Sequence, residues 1–230
     1  MDSLGDRIKR YEKTFNYSAL RRMPLMIRVD GRAFHTFTRH MKRPFDDVLI
    51  GAMVSSALEV AKDMQGFKAA YVQSDEATFC LTDYDTNETQ GWFDYDLSKV
   101  VSISASMMSV AFNGLFKNEK CPVFDSRAFT LPIDDVVNAF LWRAKDWERN
   151  SVQMYARAFF SHKELHGKGR SDMHEMLHEK GKNWTTDLSP QERNGTFLVL
   201  HNGNIEQRTD ILPTYQAIND AIGGLFVFGL

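Results

Sequence analysis

The sequence predicts an α+β fold built on an antiparallel sheet with helices on one face. Three observations support this prediction. Strand-like and helix-like segments alternate, the contents of 43% hydrophobic and 25% charged residues are ordinary for a globular chain, and 230 residues suffice for one sizeable core. The first six segments run strand, helix, strand, strand, helix, strand, which is the split βαβ order of a ferredoxin-like sheet. We therefore expect a catalytic core over residues 1–163 and a small C-terminal appendage of helices and strands over 164–230, packed on it as one unit.

The first strand and helix follow from apolar spacing and turn residues. Residues 24–29 form a β-rich run that ends abruptly at Asp30-Gly31-Arg32. Apolar residues at three- to four-residue steps from Leu49 to Met64 predict an amphipathic helix. Asp46 or Asp47 would cap its first turn, and Gly66 would close it.

A hairpin, a helix and a fourth strand complete the pattern. Residues 69–72 and 77–81 are β-rich and flank a polar tip, Gln73-Ser74-Asp75-Glu76. Apolar periodicity and β-rich composition predict three further elements, namely a helix over about 96–116, a strand over 123–130 and a long helix over 133–162.

Charge and composition limit the classes of function. The formal net charge is −2, whereas a nucleic-acid-binding module is usually basic, so RNA contact would need a local basic patch or an assembled oligomer. Cys80 and Cys121 match no metal or redox spacing. Residues 1–13 lack the apolar centre of a signal peptide, and no apolar run is long enough to cross a membrane. These features predict a cytoplasmic protein with reduced thiols and no membrane partner.

Carboxylates follow the first strand and occupy the hairpin tip. Asp30 ends the strand, and Asp75 and Glu76 lie at the tip. The first strand and the hairpin are central neighbours in a split βαβ sheet, so these side chains are expected to converge at one edge. Clustered carboxylates repel one another unless a cation neutralises them, and Mg²⁺ prefers carboxylate oxygens with water and substrate phosphates.

Two such ions are typical of in-line attack on phosphorus. The spacing therefore indicates a metal-dependent phosphoryl-transfer site of the polymerase-palm or nucleotide-cyclase kind. Each motif alone is more often an ordinary turn. Gly31 strengthens the interpretation, because a residue without Cβ lets the backbone approach a triphosphate, and the N–H groups of residues 31–35 could cradle its oxygens.

Several motifs resemble the tRNA-His guanylyltransferases and their Thg-like relatives, in order along nearly the whole chain. The resemblance is carried by residues 27–35 and 71–79, by Phe124-Asp125-Ser126-Arg127, by Trp142-Arg143 with Asp146 and Asn150, and by the opening Gly5-Asp6-Arg7-Ile8-Lys9 with Tyr11-Glu12. It implies a palm-like core that adds nucleotides to tRNA in the 3′-to-5′ direction. The tRNA 5′-phosphate is first activated with ATP or GTP, and the 3′-hydroxyl of GTP then attacks it. A homotetramer is also implied.

The resemblance further implies roles for matching residues. Asp30, the Gly31 carbonyl and Asp75 would hold two Mg²⁺ ions, and Glu76 would be an adjacent catalytic acid. Arg43 stands where the family often has a lysine that binds triphosphate, and Asp46 stands where a carboxylate can meet the activating base. The implied nucleotide-binding set is Gly31, Arg32, Ala33, Phe34, His35, Arg43, Asp46 and Ser74, and the implied tRNA-binding set is Arg28, Arg127, Arg149 and Asn150.

One segment departs from the eukaryotic pattern. Eukaryotic guanylyltransferases carry a His-x-Asn-Asn segment, tied to tRNA-His recognition, where this chain has Glu148-Arg149-Asn150-Ser151. The difference resembles the broader Thg-like branch, which extends 5′-truncated tRNAs by templated addition. Maturation of tRNA-His and repair of truncated tRNAs therefore both stay open.

Three other functions fit parts of the sequence. A palm-type nucleotide cyclase would use the same carboxylates on GTP or ATP without tRNA, although the basic loop 166–170 favours RNA. His174-Glu175-Met176-Leu177-His178 matches the H-E-x-x-H motif of zinc proteases, but no convincing third ligand follows it. A non-catalytic RNA-binding protein would not need the carboxylates. The aromatics Trp142, Trp147 and Tyr155 of the long helix are more often core or interface residues than base-stacking platforms.

Overall fold

A six-stranded antiparallel sheet lies at the centre of the computed structural model, which describes residues 3–227. Its strands are β1 (Leu25–Gly31), β2 (Phe67–Gln73), β3 (Glu76–Leu81), β4 (Phe124–Thr130), β5 (Thr196–His201) and β6 (Asn204–Arg208). They lie in the order β4-β1-β3-β2-β5-β6, and neighbouring strands are antiparallel. The central position of β1 beside the β2–β3 hairpin confirms the arrangement expected of a split βαβ sheet.

Helices connect and flank the strands. They are α1 (Leu4–Lys13), α2 (Phe34–Phe37), α3 (Asp47–Asp63), α4 (Leu97–Leu115), α5 (Ile133–Arg157), α6 (His162–Leu165), α7 (Arg170–Glu179), α8 (Trp184–Asp187), α9 (Pro190–Asn194) and α10 (Tyr215–Ile222). Short 3₁₀ turns occupy Thr38–His40, Trp92–Tyr95 and Gly223–Phe226. Within residues 3–227, every helix is too short or too polar to span a lipid bilayer.

Helices cover both faces of the sheet, not the single face expected. Leu25, Ile27 and Val29 of β1 pack into one core with α3 and α4. Met26, from the same strand, packs into a second core with α5 and the C-terminal helices. The physical reason is that the central strands are apolar at successive positions, so both faces need cover from water. The α+β class and the antiparallel sheet are confirmed.

The C-terminal third of the chain extends the same sheet. Ala69 of β2 pairs with Val199 of β5, and β6 then pairs with β5. The expected division into a core over 1–163 and an appendage over 164–230 stays a prediction, to which the structure adds that the second range supplies two strands.

Candidate active site

Asp30, Asp75 and Glu76 lie at neighbouring ends of the strands β1, β2 and β3. In the sheet register Asp30 of β1 lies opposite Glu76 of β3 and opposite Asp125 of β4. Ser74 and Asp75 form the turn that joins β2 to β3. The backbone N–H of Gly31 donates to the carbonyl of Asp75 at 3.0 Å, which ties the end of β1 to this turn. The convergence at one edge that the sequence indicated is therefore present.

Glu76 is held by a buried ion pair with the long helix α5. Its neighbour Ala77 belongs to the core on the α3–α4 face, so the Glu76 side chain points to the opposite, α5 face. There it accepts hydrogen bonds from Arg143 Nε and Nη2, both at 2.7 Å. Arg28 Nε lies 4.0 Å from the same carboxylate. Glu76 thus anchors α5 to the sheet, and its role as a catalytic acid stays a prediction.

The other two carboxylates lack comparable neutralising partners. Burial raises the pKa of Asp75 to about 6, helped by the nearby charges of Asp30 and Glu76 and opposed by the hydrogen bond from Ser74. Burial also raises the pKa of Asp30, and the charges of Glu76 and Asp125 act in the same direction. The site therefore concentrates negative charge that a bound cation would stabilise.

The donor atoms at this edge fit a hard divalent cation. Within residues 3–227 the structure has no group of three or more His, Cys, Asp and Glu side chains that could hold a metal. Two carboxylates, Asp30 and Asp75, together with the Gly31 carbonyl, would instead form an incomplete oxygen shell. Mg²⁺ characteristically accepts such a shell, because water and substrate phosphates complete its octahedron.

A cavity of about 480 Å³ is lined in part by Asp75. One wall is apolar and includes Phe45, Leu49 and Trp147. Arg32 does not line this cavity; its N–H donates to the Val123 carbonyl at 2.9 Å. The cavity brings together the other members of the implied nucleotide-binding set, namely Gly31, Ala33, Phe34, His35, Arg43, Asp46 and Ser74.

Two members of this set also have structural duties. A Cβ on Gly31 would lie 2.2 Å from Phe34 Cδ2, so only glycine lets the Phe34 ring pack beneath the turn. That ring is buried in an aromatic cluster with Phe112 and Phe124, and the backbone at Phe34, not its ring, is left to meet a ligand. Asp46 caps α3 by accepting from the N–H of Val48 and of Leu49, both at 3.0 Å.

A second cavity, of about 360 Å³, adjoins the first at Asp75. Its polar walls include Asp30, Gln73, Glu76, Arg143, Asp146, Asn150 and Gln153. The two cavities share Ser74, Asp75, Trp147, Met154 and Arg157. Asp75 therefore lies where the two cavities adjoin, beside the carboxylates Asp30 and Glu76 of the second cavity.

Comparison with known proteins agrees with this geometry. The sequence profile of the Thg1 family, described as tRNAHis guanylyltransferase, matches residues 5–132. The chain belongs to this family.

A bacterial tRNA(HIS) guanylyltransferase (Thg1)-like protein, solved in complex with ATP, superposes with a TM-score of 0.92 and 35% identity over 98% of this chain and 100% of that one. A bacterial tRNA(HIS) guanylyltransferase (Thg1)-like protein, solved in complex with GTP, superposes with a TM-score of 0.81. The two chains are 30% identical over 99% of this chain and 100% of that one. A probable tRNA(His) guanylyltransferase from Dictyostelium discoideum is 30% identical over 154 residues, which cover 62% of this chain and 58% of that relative.

Members of the Thg1 family are nucleotidyltransferases, so the chain is an enzyme of this class. Nucleotidyl transfer depends in general on a divalent metal. Asp30 and Asp75 are carboxylates of suitable chemistry for such an ion, and their assignment to it stays a prediction.

Of the implied tRNA-binding residues, only Asn150 lines the second cavity, and Arg28 and Arg149 pair with residues of its wall. Arg28 is half-buried beside Glu76, and Arg127 lies opposite it on the edge strand β4. Arg149 pairs with Asp146 on α5, and Asn150 donates to the same carboxylate at 3.4 Å. Their contacts with RNA stay predictions.

The sequence interpretation missed most of the α5 contribution to the site. Arg143, Asp146, Gln153 and Arg157 line the second cavity, but only Arg149 and Asn150 of this helix were assigned a role, and Arg149 does not line it. Their spacing of three to four residues, together with Asn150, marks one polar stripe of an α-helix. That periodicity was the available signal; the target of the stripe depends on how α5 packs against the sheet.

The H-E-x-x-H helix rests on the protein core. Met173 and Leu177 of α7 are buried, and the His174 ring packs edge-on against Trp184 with centroids 5.8 Å apart. Burial lowers the pKa of His174. These contacts give the motif a packing role, and no third ligand accompanies it within the described residues.

We expect Asp75→Asn to stabilise the metal-free protein at neutral pH. The pKa of the Asp75 carboxyl is raised from 3.8 to about 6 in the folded state, so the folded protein becomes less stable as pH rises through this window. Above it, the whole free-energy cost of the ionised carboxylate persists. The cost is on the order of 1–3 kcal/mol. Asparagine keeps an oxygen for the Ser74 hydrogen bond and carries no charge.

Thermal unfolding in EDTA at neutral pH tests this expectation, and Asp63→Asn, at the exposed end of α3, is the control. Added Mg²⁺ should raise the melting temperature of wild type and leave that of Asp75→Asn unchanged. An Asp75→Asn variant that melts below wild type in EDTA would contradict the electrostatic argument.

Proposed function

We propose that the protein is a tRNA 5′-end nucleotidyltransferase that works in the 3′-to-5′ direction. It would activate the 5′-phosphate of a tRNA with ATP or GTP and then add a guanylate or a templated nucleotide. The observation that carries the proposal is the junction of two cavities at Asp75. A cyclase joins two ends of one nucleotide and needs one cleft, whereas this reaction must hold a nucleotide and an RNA end together.

The chain's own residues divide the work between the clefts. In the first step an oxygen of the tRNA 5′-phosphate attacks the α-phosphorus of ATP, and pyrophosphate leaves. The larger cavity, with its apolar wall and Arg43, suits the nucleotide base and the phosphates. In the second step the 3′-hydroxyl of GTP attacks the activated 5′-phosphate, and AMP leaves. The polar second cavity, with Arg143 and Asn150, suits the RNA end.

Two Mg²⁺ ions per site are part of the proposal. Asp30, Asp75 and the Gly31 carbonyl would hold them, and Glu76 would help keep the edge of the sheet in position. When bound, the ions would activate the attacking oxygen and neutralise charge on the leaving group. The raised pKa of Asp75 and of Asp30 supports this assignment, because cation and proton compete for the same oxygens.

We expect the segment Glu148-Arg149-Asn150-Ser151 to determine which tRNA is preferred. Glu148 pairs with Arg170 of α7, and Arg149 pairs with Asp146, so both side chains are engaged within the protein. This arrangement supports the Thg-like branch, which extends truncated tRNAs, over strict recognition of tRNA-His.

An extension assay distinguishes the substrates. The protein is incubated with Mg²⁺, ATP, GTP and either full-length tRNA-His or a tRNA that lacks its first nucleotide, and the 5′ length is read on a gel. We expect one-nucleotide growth, with the truncated tRNA preferred. Preference for tRNA-His would assign the enzyme to maturation, and a cyclic product from GTP alone, without growth of either RNA, would replace the proposal with the cyclase.

We also propose a cytoplasmic homotetramer. Leu4, Ile8 and Tyr11 lie on one side of α1, and all three are exposed, as is Phe15 beyond the helix. Apolar stripes of this kind are usually covered by another surface. Light scattering of wild type against Ile8→Glu would test whether this stripe lies between subunits.

A further inference from the structure

Trp142 differs from the other tryptophans of the chain in its exposure. Trp92, Trp147 and Trp184 are buried, with exposed fractions of 5%, 4% and 9%. Trp142 is 58% exposed, although it lies in the middle of the long helix α5. A tryptophan has a large apolar surface, and those left open to solvent are enriched at recognition sites.

The Trp142 ring is held beside the carboxylate edge by two arginines. The guanidinium carbon of Arg143 lies 4.6 Å from the ring centroid, and that of Arg28 lies 5.6 Å from it. Arg143 in turn binds Glu76 through two hydrogen bonds. These two cation–π contacts favour one position of the ring, next to the buried ion pair. A rigid aromatic surface costs little entropy when a partner stacks on it.

Two further arginines lie near the ring, and each is only loosely paired: Arg28 Nε is 4.0 Å from the Glu76 carboxylate, and Arg127 Nη2 is 3.3 Å from the Asp125 carboxylate. Arg28 Nε is buried and has no hydrogen-bond partner within the described residues. Arg127, opposite Arg28 in the sheet, adds a second guanidinium on the edge strand; it is half-exposed, and its single hydrogen bond to Asp125 leaves other N–H donors for a phosphate. Phosphates satisfy arginine donors and nucleobases stack on tryptophan, so an RNA end supplies both chemistries together. An apolar surface from another protein would bury these arginines without satisfying them.

The nucleotide cavities do not use this ring. Trp142 lines neither the larger cavity nor the second one, whereas Trp147 lines both. A ligand on Trp142 would therefore lie outside the space for the activating nucleotide and next to the cleft proposed for the RNA end.

We infer that Trp142 is a stacking platform for a nucleobase at the acceptor end of the RNA, with Arg28 and Arg127 contacting the adjoining phosphates. The inference rests on the proposed function and adds a residue that orients the RNA rather than the nucleotide. Stacking of one base is worth about 1–3 kcal/mol, which corresponds to roughly a 5- to 150-fold change in affinity.

Kinetics and fluorescence together test this inference. Trp142→Ala should raise KM for the tRNA about tenfold or more, within the range for one stacked base, and leave KM for ATP unchanged. Trp142→Phe retains a stacking ring and should stay close to wild type. Tyr215→Ala, which removes an exposed aromatic on α10, is the control and should change neither constant.

Because the other three tryptophans are buried, iodide should quench mainly the fluorescence of Trp142. The difference between the emission of wild type and that of Trp142→Phe isolates the Trp142 fluorescence. Titration with a 5′-monophosphorylated tRNA, without nucleotides, should quench this signal and protect it from iodide. The measurement needs no turnover, so it tests the platform even if the proposed reaction fails. If tRNA leaves the Trp142 fluorescence unchanged, the inference is overturned. It is also overturned if protection from iodide depends only on protein concentration, because Trp142 would then lie in a subunit contact.

Discussion

Asp30→Asn and Asp75→Asn are each expected to reduce nucleotide addition by roughly a hundred- to a thousandfold or more while the fold persists. Loss of one preorganised charged or polar group at a reacting centre typically has an effect of this size. Both carboxylates have raised pKa values in the metal-free protein, so neither stabilises the fold through its charge. The substitution should therefore separate activity from stability.

The extension assay on a tRNA that lacks its first nucleotide measures the loss, and circular dichroism with thermal melting checks the fold. Asp63→Asn is the matched control, since this carboxylate is exposed at the end of α3 that precedes β2, away from the Ser74–Asp75 turn. Wild-type rates in Asp30→Asn or Asp75→Asn would overturn the metal assignment, and equal losses in Asp63→Asn would indicate a nonspecific effect.

Arg143→Met is expected to destabilise the protein by about 3–5 kcal/mol, the usual cost of leaving one member of a buried ion pair without its partner. Arg143 and Glu76 are only 8% and 6% exposed, and two hydrogen bonds of 2.7 Å join them. Arg28 lies too far from the Glu76 carboxylate, at 4.0 Å, to replace the lost hydrogen bonds without moving.

Denaturant unfolding of three variants resolves the origin of this loss. The double variant Glu76→Gln/Arg143→Met should recover part of the stability, because the buried Glu76 charge that lost its hydrogen-bonded partner is also removed. Arg149→Met removes another arginine of α5, one that is 70% exposed in its ion pair with Asp146, and should cost less than about 1 kcal/mol. A loss in Arg143→Met no larger than in Arg149→Met would show that the buried pair does not anchor α5.

The local pattern of residues determined most of the sheet and helix order. Alternating and periodic apolar positions gave α3, α4 and β1 to β4 with boundaries close to those observed, because each of these elements buries its own residues in a way that a short window reveals. The expectation for helix α5 ran to residue 162, whereas the helix ends at Arg157, since Ser161 begins a new capped turn.

The carboxylate edge could also be inferred, because the order of strands alone places Asp30 beside the hairpin tip. The packing of helices on the second face of the sheet could not be inferred from the sequence. Whether α5 packs behind the sheet depends on contacts such as Phe140 with Phe197, which lie far apart in sequence. The same long-range packing directs Arg143 onto Glu76 and creates the second cavity.

The sequence by itself therefore determined the fold class, the edge at which the acidic residues meet, and the family, since these depend on local periodicity and on contiguous motifs. Only the tertiary structure decided which charges are neutralised and which are left for a cation. The free energy of each ionised carboxylate depends on its burial and on its distance from a charged partner. Neither quantity can be read from the residues next to it along the chain. Glu76 and Asp75 are adjacent in sequence, yet one is bound to Arg143 and the other faces the junction of two open clefts.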